Sequence, residues 1–436
     1  MCFGGGSPPR DMDAGTPRDA GGPIAGCPEP EFRMELYWVY DDNTGTNVAH
    51  AYRKSNVNQK QYINLDRTAS HPQYGRLLRF KARFLRRAGS VPVPNRDIVW
   101  SVQRGARNRA HLSGAMRGGL GGGRADEIHS RTDAQGYATV DLYMSQYGGD
   151  RFQLWARDGE SADTSSQRCT DWFEGWRKLW CEIDCMTRDP SGTSPDPSCT
   201  TYCDIEVGYL RSTLLPGLNR KLVDNDLFLE FVEAPWGTAA PISYRKITAA
   251  SQHLAMVSSV RAAPTATEGL TAAQIECRSY HIAFIDGWYN STGTTYYGNA
   301  VAGTINPPPG TANVNRLCIW LGIGHMESTG VTLFGADWVN LILSTLLHEI
   351  LHQIGLASAF LPDGTDIRGP HASHDTGRGW HCGRVGRGDT SPDTCIMYQT
   401  VTESTTVLRD TLCEQCIDAA RGRNLSSLPI GPQDAW

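Results

Sequence analysis

The sequence has no long apolar run and no large excess of charge of either sign. Among its 436 residues, no stretch approaches the roughly 18 apolar residues that a membrane-spanning helix needs, so no transmembrane segment is predicted. Charged residues make up 20% of the chain and the net charge is −5, which gives no electrostatic reason to expect nucleic acid or an anionic membrane as a partner. No apolar run follows the start of the chain, so no intact signal peptide is predicted.

The first 32 residues lack the apolar side chains that a core requires. Their polar, glycine-rich composition predicts a disordered tether over residues 1–32. Cys2, which precedes this glycine-rich tract, resembles the start of a mature bacterial lipoprotein. The resemblance implies a lipid anchor at Cys2 and a secreted or cell-surface bacterial protein. The alternative is a disordered terminus with an incidental cysteine.

Residues 33–160 are predicted to form an all-β domain. Short segments rich in alternating apolar, β-branched and aromatic residues are separated by turns, which indicates a β-sandwich. The clearest of these segments are 77–84, 97–102, 137–143 and 151–156. The turn at 132–136, followed by a strand, resembles bacterial immunoglobulin-like domains, so the expected fold of this region is an immunoglobulin-like sandwich.

Residues 161–436 are predicted to form a second, α+β domain. Alternating segments at 176–186, 226–233, 280–286 and 316–321 indicate strands. An apolar helix is predicted to begin near residue 337 and to pack on the resulting sheet. Strands followed by such a helix define an α+β arrangement, placed after the all-β domain.

Two histidines and a carboxylate share this predicted helix. The segment reads His348-Glu349-Ile350-Leu351-His352-Gln353-Ile354-Gly355. Four residues span about one helical turn, so His348 and His352 lie on the same face and can bind one divalent ion. Glu349 stands beside them, where it can accept a proton from a metal-bound water. A catalytic zinc site needs a third protein ligand.

Further cysteine and histidine motifs follow towards the C-terminus. They are His381-Cys382, then Cys395-Ile396-Met397, then Cys413-Glu414-Gln415-Cys416. Together with the helix motif and Gly355, this order over residues 337–416 resembles the archaemetzincins, a family within the metzincin zinc peptidases.

The resemblance to the archaemetzincins implies roles for individual residues. His348, His352 and His381 would bind a catalytic Zn²⁺, with Glu349 as general base, and Met397 would form the turn beneath that metal. A second, structural Zn²⁺ would be held by Cys382, Cys395, Cys413 and Cys416.

Two features depart from the archaemetzincin pattern: about 22 extra residues, from Ala359 onward, separate Gly355 from His381, and twelve residues rather than a few lie between Cys382 and Cys395. In addition, Ser358, a poor zinc ligand, stands where other metzincins have the third histidine. His371 and His374 are therefore alternatives to His381. His381 is favoured because binding of the adjacent Cys382 to the second metal would already restrict its position.

The cysteine spacing can also be interpreted without the resemblance to the archaemetzincins. Cys413-x-x-Cys416 is a typical half-site for tetrahedral zinc, and Cys382 and Cys395 can supply the other half; a disulfide pair is the alternative. A separate group in the middle of the chain allows either two disulfides or another four-thiolate zinc site. Its members are Cys181, Cys185, Cys199 and Cys203.

Taken together, these patterns predict a zinc-dependent endopeptidase that acts on a protein or peptide substrate. Two alternatives remain open. The protein could be a binding or adhesion protein whose metal site is structural or inactive. It could also be a protease toxin that an injection apparatus delivers into other cells.

Overall fold

The computed structural model describes most of the N-terminal half and parts of the C-terminal half. The described residues are 31–41, 46–68, 71–108, 116–117, 124–162, 164–185, 213–233, 246–247, 264–285, 287–289, 295–296, 298–302, 317–322, 338–354, 382, 386–390, 394–397, 409–422 and 425.

Strands make up most of the described secondary structure. They are β1 (Phe32–Asp41), β2 (Asn47–Ala51), β3 (Gln59–Tyr62), β4 (Leu77–Arg86), β5 (Val91–Pro92), β6 (Asp97–Arg104), β7 (Met116–Arg117), β8 (Arg124–Ala125), β9 (Glu127–Arg131), β10 (Tyr137–Tyr143), β11 (Arg151–Asp158), β12 (Arg168–Cys169), β13 (Phe173–Cys185), β14 (Leu229–Glu233), β15 (Lys246–Ile247), β16 (Ser279–Ile285), β17 (Gly287–Tyr289), β18 (Thr295–Tyr296), β19 (Gly298–Ala302) and β20 (Leu317–Gly322). The α-helices are α1 (Leu215–Asp224), α2 (Ala272–Glu276), α3 (Trp338–Gln353) and α4 (Glu414–Gly422). Short 3₁₀ turns lie at Ala88–Ser90 and Thr164–Ser166.

The N-terminal region is a two-layer β-sandwich. One sheet has the order β2-β1-β4-β10-β7-β8, and the facing layer contains β9, β6, β11 and the start of β13. Alternation along β4 turns Leu78, Phe80, Ala82 and Phe84 inwards, where none has measurable exposure. The facing layer contributes Trp100, among others, to the same apolar cluster. The prediction that the N-terminal region is all β is confirmed.

The turn between β9 and β10 shows why this sequence reverses direction there. The Oδ1 atom of Asp133 accepts hydrogen bonds from the backbone N–H groups of Gln135 and Tyr137, at 2.9 and 2.8 Å. Gly136 has a φ of 79°, and a β-carbon there would lie 2.7 Å from the carbonyl oxygen of Phe84. Both observations require glycine at position 136.

Strand β13 runs from the sandwich into a second sheet. Its first residues pair with β3 and β11, and Phe173 belongs to the sandwich core, so this layer continues beyond residue 160. Its later residues pair in parallel with β14 on one edge and with β16 on the other. Strand β20 then pairs in parallel with β16, and β19 is antiparallel to β20. The sequence predicted a strand at this position but not that it joins two sheets.

Helices α1 and α3 pack on the second sheet. Helix α1 contacts β14, and α3 contacts β19, β20 and α1. Their shared core is apolar and includes Leu218, Leu222, Phe231, Leu347 and Ile350.

In the described part of the chain, no helix has the length and apolar character needed to cross a membrane. Residues 1–30, and with them Cys2, lie outside the described residues, so the tether and its lipid anchor stay predictions.

Phe80→Ala tests the sandwich core. Phe80 has no measurable exposure, and its ring contacts those of Trp38, Tyr52 and Phe173. Its truncation should lower the free energy of unfolding of the sandwich by about 3–5 kcal/mol, because a large cavity replaces the ring. Urea unfolding monitored by tryptophan fluorescence measures the change.

The matched control for Phe80→Ala is Val57→Ala. Val57 is 65% exposed, so its truncation should change the same free energy by less than about 0.5 kcal/mol. Equal effects of the two substitutions would contradict the placement of Phe80 in the core.

Candidate metal centre

Helix α3 carries the histidine motif in a largely buried setting. Residues 341–347 are all buried, and so are Ile350, Leu351 and Ile354. The apolar residues of this stretch pack into the core, while the polar Ser344 and Thr345 lie on the same side of the helix as the histidines. His348 and His352 are only half-buried, so they face the one side of this part of the helix that is not sealed by the core.

The two histidine side chains converge on one point. Their Nε2 atoms lie 2.9 Å apart, and the ring centroids are separated by 4.6 Å with the rings nearly perpendicular. Zn–N bonds of about 2.0–2.1 Å in tetrahedral geometry would place two ligand nitrogens about 3.3 Å apart. The observed separation therefore differs by only a few tenths of an ångström from what zinc requires, and the pair fits a single metal ion.

The tautomer of His348 is set by the main chain. Its Nδ1 atom lies 2.7 Å from the carbonyl oxygen of Ile396. A carbonyl oxygen can only accept, so Nδ1 carries the hydrogen and donates it. In the neutral ring, Nε2 is then the nitrogen without a hydrogen; it is turned towards His352, as a metal ligand needs to be.

Glu349 follows His348 on the helix and is 8% exposed. One residue corresponds to about 100° around a helix, so its carboxylate leaves the helix beside the histidine face rather than on it. A carboxylate that leaves the helix in this direction need not itself be a metal ligand.

Four cysteine thiols form a second cluster close to the histidine helix in the fold. The sulfur atoms of Cys382, Cys395, Cys413 and Cys416 all lie within 4.8 Å of one another, and all four residues are buried. Two of the sulfur separations are 3.7 Å, between Cys382 and Cys413, and 3.8 Å, between Cys395 and Cys416. A disulfide would require about 2.05 Å. Tetrahedral zinc with Zn–S bonds of about 2.3 Å gives sulfur separations of about 3.8 Å, so the cluster could bind a metal ion.

Hydrogen bonds within the cluster favour negative charge on some of its sulfurs and disfavour it on others: they lower the pKa of Cys382 and Cys413 and raise that of Cys395 and Cys416. Contacts with the Cys382, Cys395 and Cys416 thiols lower the pKa of the Cys413 thiol. The backbone N–H of Cys416 also points to the Cys413 sulfur, at 3.4 Å. Hydrogen bonds with the Cys382, Cys395 and Cys413 thiols raise the pKa of the Cys416 thiol, and charge repulsion from Cys395 raises it further. A bound cation would remove that repulsion and allow all four sulfurs to be thiolates.

Residues 395–397 connect the two groups of side chains. Cys395 contributes a thiol to the cluster, the next carbonyl accepts the hydrogen bond from His348, and the carbonyl of Met397 accepts one from the N–H of Cys382 at 2.7 Å. The N–H of Ile396 is bound to the carbonyl of Thr411, at 2.8 Å. Met397 has no measurable exposure. This short segment, which we name the linking segment, therefore positions a histidine of one group and a thiol of the other.

The structure brings together most, but not all, of the side chains predicted to bind metal. His348 and His352 form the pair described above, and the four C-terminal cysteines form the cluster. His381, His371 and His374 lie outside the described residues, as do Gly355 and Ser358, so the third ligand stays a prediction. The role of the Ile396 carbonyl was not predicted, because a backbone carbonyl has no signature in the sequence.

The middle cysteines are only partly described. Cys181 lies buried in β13, with Glu233 of β14 and Tyr280 of β16 paired to it on the two edges of the strand. A partner thiol would therefore have to approach from a face of the sheet. Cys199 and Cys203 lie outside the described residues, as does the side chain of Cys185, so their pairing stays a prediction.

Comparisons with known proteins give little further information. No protein-family model matches the sequence, and no curated protein matches it. Among solved structures, the C-terminal 282-residue fragment of intimin in complex with the intimin-binding domain of the translocated intimin receptor is 17% identical, with a TM-score of 0.17, over 24% of this chain and 28% of that one. The D0-D1 domain of intimin is 13% identical, with a TM-score of 0.18, over 33% of this chain and 63% of that one. TM-scores this low do not establish a shared fold.

Cys413→Ser tests the thiol cluster. Serine is a poor ligand for a soft metal site, so the variant should lose one bound metal ion per chain, and its melting temperature should fall. Elemental analysis of the purified protein measures the metal, and thermal unfolding measures the stability.

The control for the thiol cluster is Cys169→Ser, which removes a half-buried sulfur in the sandwich. It should leave the metal content unchanged. Identical metal content in all three proteins would rule out a metal site at the four cysteines.

Proposed function

We propose that the protein is a zinc-dependent endopeptidase. The observation that carries the proposal is the convergence of the His348 and His352 Nε2 atoms on α3. The carbonyl oxygen of Ile396 accepts the Nδ1 hydrogen of His348, which leaves Nε2 of that ring as the metal-binding nitrogen. His381 is the proposed third ligand of this catalytic zinc. The four-cysteine cluster is the proposed site of a second, structural zinc.

The donor set is appropriate to these two zinc ions. Imidazole nitrogens with an open coordination position are typical of catalytic zinc, whereas four thiolates with no open position are typical of structural zinc. When bound, the catalytic zinc would acidify a coordinated water and polarise the carbonyl group of the substrate.

Each residue of the motif has a distinct task in this mechanism. Glu349 accepts a proton from the attacking water and passes it to the nitrogen atom of the departing amine. His348 keeps its ring orientation because Ile396 accepts its Nδ1 hydrogen. The buried apolar residues of α3 restrict the motion of the helix that carries both rings.

We further propose that the sandwich is immunoglobulin-like and that the enzyme acts outside the cytoplasm. Support for the fold comes from two antiparallel layers around a single apolar core. Support for the location comes from the composition of residues 1–32 and their resemblance to a lipoprotein tether.

Glu349→Gln tests the assignment of the general base. Glutamine has nearly the same shape but cannot accept the proton, so peptide hydrolysis should fall by about 10²- to 10⁴-fold while the zinc content stays the same. Hydrolysis of a quenched-fluorescent peptide library and elemental analysis of the same samples provide the two measurements.

Asn340→Ala is the matched control on the same helix. Asn340 is exposed at the start of α3, so its truncation should leave both activity and zinc content intact. Full activity of Glu349→Gln would overturn the assignment of the base. Two bound zinc ions in a wild-type protein that hydrolyses no peptide would instead favour a binding protein with an inactive site.

A further inference from the structure

The sandwich carries the opposite charge to the rest of the chain. Residues 33–160 contain 20 lysines and arginines but only 12 aspartates and glutamates, although the whole chain has a net charge of −5. The remainder of the chain is therefore strongly acidic. Segregation of this kind attracts charged partners of one sign to one part of a molecule.

Some of these lysines and arginines line a groove at one edge of the sandwich. The groove has a volume of about 810 Å³ and is bounded by the start of β1, the segment that follows β2, and β12 of the facing layer. We name it the basic groove; its charged and reactive lining residues are Arg33, Glu35, Arg53, Lys54, Arg168 and Cys169. Arg87 lines the groove as well.

Three of these cations have no ion-pair partner among the described residues. Arg53 and Lys54 are both exposed. The nearest polar contact of the Lys54 ammonium group is the sulfur of Cys169, at 3.3 Å. The Arg168 guanidinium group donates to the carbonyl oxygens of Gln167 and Ser165, at 2.7 and 3.4 Å, and neither of these neutral acceptors compensates its positive charge. A concave surface concentrates the field of such uncompensated charges.

The groove also offers hydrogen-bond acceptors. The carboxylate of Glu35 lies 3.2 Å from Arg33 and accepts a hydrogen bond from the hydroxyl group of Tyr37, at 2.7 Å. An anionic ligand that fits here needs donors beside its negative groups. A phosphodiester backbone offers only acceptors, to which Glu35 cannot bind, whereas a polypeptide offers an N–H donor at every residue other than proline beside the carboxylates that the cations attract.

We propose that the basic groove binds an acidic, extended polypeptide segment of a partner protein. Its carboxylates pair with Arg53, Lys54 and Arg168, and its backbone N–H groups donate towards Glu35. The proposal stands independently of peptide hydrolysis, since none of these residues belongs to the histidine motif or to the cysteine cluster.

The test is direct binding of a fluorescein-labelled peptide that alternates glutamate and valine, measured by fluorescence anisotropy on the full-length protein. The double variant Arg53→Glu and Lys54→Glu should weaken binding by at least about tenfold, because two attractive contacts become repulsive. Both side chains are exposed, so the variant should fold normally, and an unchanged circular dichroism spectrum and melting temperature verify this. Arg220→Glu, a single charge reversal at an exposed residue of α1 that does not line the groove, should leave the affinity unchanged.

Two ligand controls distinguish the chemistry of the partner. The corresponding lysine–valine peptide should not bind, and a single-stranded oligonucleotide or a sulfated oligosaccharide of similar length should bind more weakly than the acidic peptide. Equal affinity of the wild type and the double variant for the acidic peptide would overturn the proposal. Tighter binding of either polyanion than of the peptide would also overturn it, since the acceptors in the groove would then have no role.

Discussion

The hydrogen bond from His348 to the carbonyl oxygen of Ile396 determines how the rest of the candidate site works. It selects the tautomer of the ring, and it fixes the ring against Ile396, whose neighbours in the chain are Cys395 and Met397. Because Cys395 belongs to the thiol cluster, anything that orders the cluster also orders this acceptor. The two proposed metal sites are therefore not independent: the thiolate site acts as the support of the histidine site.

The same cluster is fastened to the sandwich through buried arginines. Arg177 of β13 is 1% exposed and donates to the carbonyl oxygens of Ala420 and Leu227, both at 2.6 Å. Arg421 at the end of α4 forms a buried ion pair with Asp150, at 3.0 Å. A positive charge at the C-terminal end of a helix is favourable, which offsets part of the cost of burying these groups. Helix α4, which carries Cys416, is thus held against the sandwich.

Much of this arrangement could be predicted from the sequence where the spacing of residues along one element determines it. The one-turn separation of His348 and His352 follows from helix geometry alone, and the inward-facing residues of β4 follow from alternation along a strand. The Cys413-x-x-Cys416 spacing likewise suffices to place two sulfurs together, and the clustering of the four cysteines matches the expectation for a metal site.

Features that join distant parts of the chain could not be predicted in this way. The acceptor for His348 is a backbone carbonyl 48 residues away, and no side chain marks it. The passage of β13 from one sheet to the next depends on partners on both of its edges. The basic groove combines residues of β1, of β12 and of the segment that follows β2. These residues come together only in the folded sandwich, so their shared positive charge is not visible in the sequence.

The most direct test of two coupled zinc sites is X-ray absorption at the zinc edge of the purified, full-length protein. Two zinc ions per chain should give a mixed first coordination shell, with sulfur at about 2.3 Å and nitrogen or oxygen at about 2.0–2.1 Å. On substitution of Cys413 by serine, the sulfur contribution should fall and the nitrogen contribution should become disordered as the linking segment loosens. A shell of sulfur alone in the wild-type protein would contradict the account, because the histidines would then bind no zinc.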